Sequence, residues 1–571
     1  MPITKITLEN FKGISERTEV ELKPITILFG ANSAGKSTLL QAMLYLREIL
    51  SHQNADADKL QASGTSIDLG GFRQIVHQHD LSRNIRLGVS LELGDDGLDV
   101  LPVPEFDAFL NERTRDMATN GISGIKTVSI DVEVSWNEQA LLPQVISYEV
   151  SIDGILFGKI LRVSDHSGML TYCDSSHPAL LKEFGGISDD GELPSECSIL
   201  QEFLDNENAH HISDACQYEI LIPHDVIPDF YSPLLSSFDE CGDSKMLMSK
   251  EFPDPTHLTD SSFEGTKAIE DEMTRTNYGL TQLILSNLIV GSGKAVLSEL
   301  EKTRYIGPLR TVPDRNFNAL RSPQENRWAD GIAAWDKLYK SAHQDDKNGL
   351  IKKVSSYISS EDKLDLGYEM KFSRVFEVES NGYALNALRM LATTAEDEEV
   401  EVRLRHVIKE IQESPQQAKI LLRDLRKQSL VSPNDIGIGV SQVIPVIVSA
   451  MARDASITTI EQPELHLHPA VQARLGDLFL ESSLTGNNRY IVESHSEHLM
   501  LRILRRIREC HGDESDYPED LPQIEPESVA VYFISNREEC VEITSLKITP
   551  DGDFYNRWPG GFFAEREQEL F

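Results

Sequence analysis

Cysteine is scarce. Six residues in a chain of 571 (Cys173, Cys197, Cys216, Cys241, Cys510 and Cys540) are scattered with no CxxC pair. That spacing argues against a disulfide framework or a thiolate zinc site and fits a reducing cytoplasm. Positive charge is also short: 54 Lys and Arg stand against 92 Asp and Glu, a net charge of −38. A broad surface for coating nucleic acid rests on Lys and Arg, so this balance argues against one while leaving room for a local basic groove. No stretch approaches the roughly 20 apolar residues that cross a bilayer, so no membrane association is expected. The N-terminal MPITKITLENF alternates like a strand rather than a signal peptide. Internal repeats and heptad runs long enough for an extended coiled coil are absent too.

What is present is the composition of a soluble globular protein, 40% hydrophobic and 26% charged, long enough for two or three lobes. Residues 3–10 and 18–29 read as two strands, the second running into a glycine-rich segment. A helix is expected from Ser37 to about Leu50, with Leu39, Met43, Leu46 and Leu50 at helical spacing. Alternating segments across 85–165 read as antiparallel strands with one wet face. Residues 173–262 are acidic and turn-rich, an insertion. Residues 265–300 and 396–430 read as helical, and a strand–helix rhythm returns over 430–510. The expected divisions are 1–80 (first part of a nucleotide-binding head), 81–170 (its β-rich part), 171–300 (acidic insertion, partly helical), 301–430 (helical) and 431–571 (second part of the head). One α/β head is thus split by a long insertion.

The segment Gly30-Ala31-Asn32-Ser33-Ala34-Gly35-Lys36-Ser37 satisfies G-x-x-x-x-G-K-[ST] between an apolar strand and a helix, with Thr38 following. Glycines let the backbone curl so that its N–H groups face a phosphate, and the helix N-terminus adds partial positive charge. Lys36 can reach the β- and γ-phosphates of ATP, and the Ser37 hydroxyl can ligate Mg²⁺. A glycine turn beside an unrelated helix is the alternative.

Ile457 to Ile460 form a short β-branched run ending in Glu461-Gln462-Pro463-Glu464. A buried strand that delivers a carboxylate at its end can hold Mg²⁺, a role assigned to Glu461. Gln462 follows it; an amide orients water but takes no proton from it. His466 and His468 lack a third ligand for a catalytic zinc and read as a turn into the next helix. Asp435 to Gln442, with Gly439 and Ser441 before an apolar helix from Val443, offers a second anion site or a simple helix cap. A further strand, Tyr490 to Glu493, leads to His495, a candidate γ-phosphate contact. In the next helix Arg502, Arg505, Arg506 and Arg508 alternate with apolar residues. They read either as a solvated face or as a contact to DNA or a partner.

Phe11-Lys12-Gly13, GANSAGKST, GIGVSQVIP, IEQPELHLHP and IVESHSEHL occur in that order. Together they resemble the SMC/RecF-like ABC ATPases of the overcoming-lysogenization-defect and Septu type. Tyr305 to Arg310 (YIGPLR) and the ending WPGGFF resemble a prokaryotic family that includes Septu antiphage defence ATPases, some of them retron-associated. The resemblance covers roughly 1–80, 300–320 and 430–571. It implies an α/β, ABC/SMC-like P-loop head with antiparallel β segments and an inserted region. It also implies an ATP-sandwich dimer or higher oligomer, in which Lys36, Ser37, Glu461 and His495 of one chain meet Ser441 of another. Gln74 is the candidate for the glutamine that approaches the metal. Only 76 residues follow His495 (571 minus 495), too few for a Toprim nuclease domain, so the implied effector is a separate HNH-type nuclease, with a reverse transcriptase and msDNA if retron-linked. Gln462 departs from the glutamate usual in such ATPases and implies slow turnover. The other readings are a DNA-repair or chromosome-associated RecF/SMC-like ATPase that binds DNA directly, and a nuclease in its own right.

Overall fold

A computed structural model describes residues 1–31, 34–53, 55–56, 69–94, 97–98, 122, 124–164, 167–184, 188, 192–204, 221–223, 226–230, 280–314, 317, 325–343, 349–376, 386, 404–405, 407–409, 411, 416–486, 488–512, 517–518, 521–537, 540–556 and 558. In chain order, β1 (Ile3–Glu9), β2 (Thr18–Glu21) and β3 (Ile25–Gly30) precede α1 (Ser37–His52) and the short α2 (Phe72–Ile75). Strands β4 (Ile85–Glu92), β5 (Thr127–Asn137), β6 (Leu142–Ile152), β7 (Ile155–Ser164) and β8 (Ser167–Cys173) follow. Then come α3 (Pro178–Phe184), α4 (Ser195–Leu204), β9 (Leu221–Pro223), α5 (Gly291–Glu301) and β10 (Thr303–Ile306). After α6 (Ile332–His343) and α7 (Leu350–Ser359) come β11 (Tyr368–Phe376), β12 (Gln416–Asp424) and β13 (Leu430–Val431). The last block is α8 (Ile438–Ala452), β14 (Ile457–Glu461), α9 (Pro469–Gly486), β15 (Tyr490–Glu493), α10 (Glu497–His511), β16 (Val529–Arg537) and β17 (Cys540–Leu546).

Among the described residues the strands form three sheets. An eight-stranded antiparallel sheet runs β2-β1-β4-β5-β6-β7-β8-β9, a six-stranded sheet runs β10-β14-β15-β3-β16-β17, and β11-β12-β13 form a third. In the six-stranded sheet every pairing is parallel except the β16–β17 hairpin at the edge. Parallel strands are covered on both faces, and side-chain alternation decides which face each residue serves. Ile25, Ile27, Phe29, Ile460, Val492 and Val531 enter one core, shared with α6 to α10. Leu28, Ile457, Ile491 and Ile534 enter the other, shared with α1, α5 and the antiparallel sheet. A fully buried side chain of this size contributes about 1.5–3 kcal/mol, so either face alone would leave this sheet half exposed and unstable.

Several sequence expectations change. The single strand expected over 18–29 is two strands in two different sheets: β2 pairs with β1, while β3 sits at the centre of the parallel sheet. Pro24 lies at the break and has no N–H for a ladder. Within 85–165 the described strands β4, β5, β6 and β7 are antiparallel as expected, with β5 alternating buried and half-buried positions. Of the acidic, turn-rich stretch 173–262, only α3, α4, β9 and a few neighbouring residues fall among the described residues. Helix was expected across 301–430; α6 and α7 lie there, but so do β10, β11, β12 and the start of β13. Met370, Ile420 and Leu422 are buried on one side of the β11–β12 ladder, a period of two rather than 3.6. Helix was expected over 265–300, and Leu280–Glu301 is a helix of 22 residues; against the expectation for apolar runs, it is long and apolar enough by composition to cross a membrane. It is buried in the core against the antiparallel sheet, with a π-helical turn at Ser286–Val290.

Candidate nucleotide site

The C-terminal ends of β14, β15 and β3 lie side by side. Glu461 pairs in register with Glu493, and Glu493 with Leu28, two residues before Gly30. Strand ends of a parallel sheet form a crevice where ligands bind, and here the phosphate-type loop and two carboxylates meet in it. Gly35 has φ +93°, and a Cβ there would stand 3.1 Å from Val541 Cγ2, so the loop requires glycine. Ala34 and Thr38 are buried, and the Thr38 N–H donates to the Gly35 carbonyl. Asn32 and Ser33 lie outside the described residues.

Lys36 is buried, 3% exposed, and its ammonium donates to the carbonyls of Gly30 (3.1 Å) and Ala31 (2.9 Å). It also stands 3.8 Å from Glu493 Oε1. Burial lowers its pKa, opposed by the charges of Glu493, Glu461 and Glu464. The Ser37 hydroxyl donates to Glu493 Oε2 at 2.7 Å. Glu461 accepts from the Tyr305 hydroxyl at 2.9 Å. Burial and then the neighbouring Glu493 charge raise the Glu461 pKa; hydrogen bonds from Tyr305 and Ser37 oppose this. A hydroxyl and two carboxylates are hard oxygen donors. They suit Mg²⁺, which takes one or two protein carboxylates and completes its shell with waters and substrate phosphates. Among the described residues no cluster of three or more His, Cys, Asp or Glu side chains forms an all-protein metal cage.

Gln462 has φ +44°, and its N–H donates to the Glu493 carbonyl at 2.8 Å, so the turn is tied to the neighbouring strand. Glu464 is 8% exposed, and its Oε1 accepts from the His495 N–H at 2.6 Å. Burial raises its pKa. His495 Nε2 is buried and has no hydrogen-bond partner among the described residues, and burial, then Lys36, lowers the imidazole pKa. A neutral ring beside Lys36 can meet a terminal phosphate.

The chain matches the family described as "AAA ATPase domain" over residues 1–177 and 332–500. It belongs to that family. Residues 524–571 match a second family, "Protein of unknown function (DUF3696)". The SMC head domain from Thermotoga maritima aligns over 96% of this chain and 100% of its own, at 8% identity and a TM-score of 0.34. An SMC head domain with a coiled coil and joint from Pyrococcus yayanosii aligns over 100% of both chains, at 12% identity and a TM-score of 0.38. A Pyrococcus furiosus SMC head domain with an extended coiled coil, bound to the C-terminal domain of ScpA, aligns over 96% of this chain and 97% of its own, at 12% identity and a TM-score of 0.35. No curated protein matches the chain.

Other residues of this ATPase fall differently from expectation. Helix α8 begins at Ile438, not Val443, so Ser441 lies in its first turns rather than at a cap. Its side chain is buried and donates to the Pro433 carbonyl at 3.1 Å; it does not point outward toward a second chain. The outward edge is Gly437 and Ile438, with Gly439 partly exposed. A Cβ on Gly439 would lie 2.4 Å from the His466 carbonyl oxygen, so the loop after β14 packs directly on this helix start. His468 Nδ1 accepts from the Ala470 N–H at the start of α9, a capping role. Gln74 is exposed on α2, and no described contact brings it to Ser37 or Glu461. Arg502 and Arg506 pair with Asp477, and Arg505 and Arg506 with Glu509; these guanidinium groups are already matched by carboxylates.

Glu493 and Tyr305 in the site, and Arg310 packed behind it, were given no role from sequence, although Tyr305 and Arg310 are the two ends of the YIGPLR stretch. The signal for Glu493 was a second apolar strand ending in glutamate, parallel to the one that ends at Glu461. Arg310 is 3% exposed and donates to the carbonyls of Gln442 (3.2 Å), Glu461 (2.7 Å) and Gln462 (3.3 Å).

Proposed function

We propose that the chain is an ATP-dependent switch that binds ATP with Mg²⁺ and closes on a second copy of itself. The observation that carries this reading is the meeting of Lys36, Ser37, Glu461 and Glu493 at three adjacent ends of a parallel sheet. Gly30 to Thr38, with Asn32 and Ser33 included on sequence grounds, would cradle the phosphates. Lys36 would leave its own loop carbonyls for the β- and γ-phosphates. Ser37 and Glu461 would hold Mg²⁺, a Lewis acid that neutralises phosphate charge, with Glu493 beside them. His495 would meet the γ-phosphate. The exposed backbone from Gly437 to Gly439 would face the ATP of the partner copy, with Ser441 fixing the helix start to Pro433 rather than contacting phosphate itself. With Gln462 in the place of a base, hydrolysis is slow and the closed state persists.

The output would be control of a partner nuclease of the HNH type in antiphage defence, as the sequence resemblance implies; association with a reverse transcriptase and msDNA belongs to the same reading. The net charge of −38 and the carboxylate-paired arginines of α10 support an effector on another chain. A DNA-repair or chromosome-associated role with direct DNA contact is the second reading; Arg505, at 56% side-chain exposure the freest of the three, favours it most. Sedimentation of the purified chain with and without Mg-ATP tests the switch: ATP-dependent association is expected, and an unchanged sedimentation coefficient at saturating ATP contradicts it. Salt-sensitive DNA binding lost in Arg502→Ala/Arg505→Ala would favour the second reading.

A further inference from the structure

Arg310 joins two elements that have different tasks. Its guanidinium donates to the carbonyls of Glu461 and Gln462, the peptide at the carboxylate end of β14, and to the carbonyl of Gln442 on α8. Gln442 answers with its side chain. Its Oε1 accepts from the Arg310 N–H at 2.8 Å, and its Nε2 donates to the Arg310 carbonyl. Both side chains are nearly fully buried. A planar guanidinium holds several carbonyls in a fixed geometry that a lysine cannot copy. Buried hydrogen bonds of this kind are costly to leave unmade, so the end of β14 and the start of α8 must move together or the set must break.

Helix α8 supplies the place where movement can occur. Pro445 lies inside it, and proline has no N–H to donate to the carbonyl four residues earlier, here that of Ser441. The first turn, with exposed Gly437 and Ile438, is therefore held to the rest of α8 by fewer bonds, and Gln442 stands at that joint. Around it the packing is tight: a Cβ on Gly331 would lie 2.9 Å from Pro445 and 3.1 Å from Arg310. The Asn434 amide donates to the Pro313 carbonyl at 2.6 Å, tying the loop after Arg310 to the loop before α8.

We infer that Arg310 and Gln442 are positioning residues that transmit the state of the carboxylate end of β14 to the first turn of α8, so that nucleotide at one face sets the partner-facing edge at the other. This rests on the ATP-binding reading above. Neither residue touches nucleotide in this account; they act through the Glu461–Gln462 peptide.

The test is amide hydrogen exchange over 437–446 in the full chain, with and without Mg-ATP, alongside ATP affinity measured by a fluorescent ATP analogue. Wild type should bind nucleotide and change its exchange over this segment. Gln442→Met and Arg310→Met should bind nucleotide within about threefold of wild type, a difference under 1 kcal/mol, and lose that exchange response. Arg310→Lys, which keeps the charge without the fork, should not restore it. If Arg310→Met fails to fold, Gln442→Met, which leaves the guanidinium in place, decides alone. An ATP-induced exchange response that persists in Gln442→Met overturns the coupling while leaving the ATP site intact. A wild type that binds no ATP overturns the site itself, and a wild type that binds ATP without any response at 437–446 overturns the coupling.

Discussion

The Ser37 hydroxyl donates to Glu493 at 2.7 Å, and the Lys36 ammonium lies 3.8 Å from the same carboxylate. Two groups of the phosphate loop therefore rest on one side chain of the neighbouring strand. Removing its charge with Glu493→Gln should weaken the affinity for the Mg²⁺ that supports ATP binding. A hydrogen bond to a charged group is worth about 1.5–3 kcal/mol, so the Mg²⁺ concentration for half-maximal binding should rise roughly tenfold or more. An Mg²⁺ titration that superimposes on wild type would remove Glu493 from the site.

Glu461 carries a pH signature. Its pKa is raised above 4.5, chiefly by burial, so the folded chain holds a proton that the unfolded chain has released. Where the native state binds more protons, stability falls as pH rises. The loss begins near the unfolded value and is complete above the folded one. Glu461→Gln should therefore raise the Tm at pH 7.5 in the absence of ATP, with the gain shrinking below about pH 4.3 where both states are protonated. The same variant should lose Mg²⁺-dependent ATP binding. A Tm for Glu461→Gln no higher than that of wild type at pH 7.5 would contradict the burial cost.

The C-terminal hairpin seats the phosphate loop. The Val541 N–H donates to the Gly13 carbonyl at 2.7 Å, and its side chain occupies the space where a Cβ on Gly13 or Gly35 would be, at 2.3 and 3.1 Å. Trp558 meets Phe29, the residue before Gly30, edge-on at 5.3 Å. Val541→Phe should overpack this contact at about 1–3 kcal/mol and lower ATP affinity roughly tenfold, whereas Val541→Ala should bind ATP nearly as wild type. Equal affinity for both variants would show that the hairpin does not seat the loop.

Much of the site was legible in the sequence because its parts are local. Gly30 to Ser37 carries its own spacing, and α1 its own helical periodicity. Glu461 and His495 stand at the ends of short apolar runs. What was hidden depends on register and packing. Glu493 gains meaning only when β15 lies between β14 and β3, and Arg310 only when its loop crosses α8. The inward turn of Ser441 follows from a helix that starts earlier than the apolar run suggested. The strand at 416–424 was obscured by neighbouring charged residues that also suit a helix, and the break at Pro24 was hidden by apolar residues on both sides.

Gln462 predicts the rate. A general base contributes about 10²–10⁴-fold, so Gln462→Glu should raise ATP turnover at least tenfold over a slow wild type. Brisk turnover by wild type would refute the persistent closed state.

The most direct measurement is calorimetric titration of Mg-ATP into wild type and into Lys36→Ala. Wild type should bind saturably, and the variant should lose at least about 100-fold, or 2.7 kcal/mol, in affinity. Equal affinity in both proteins would contradict the phosphate-loop site.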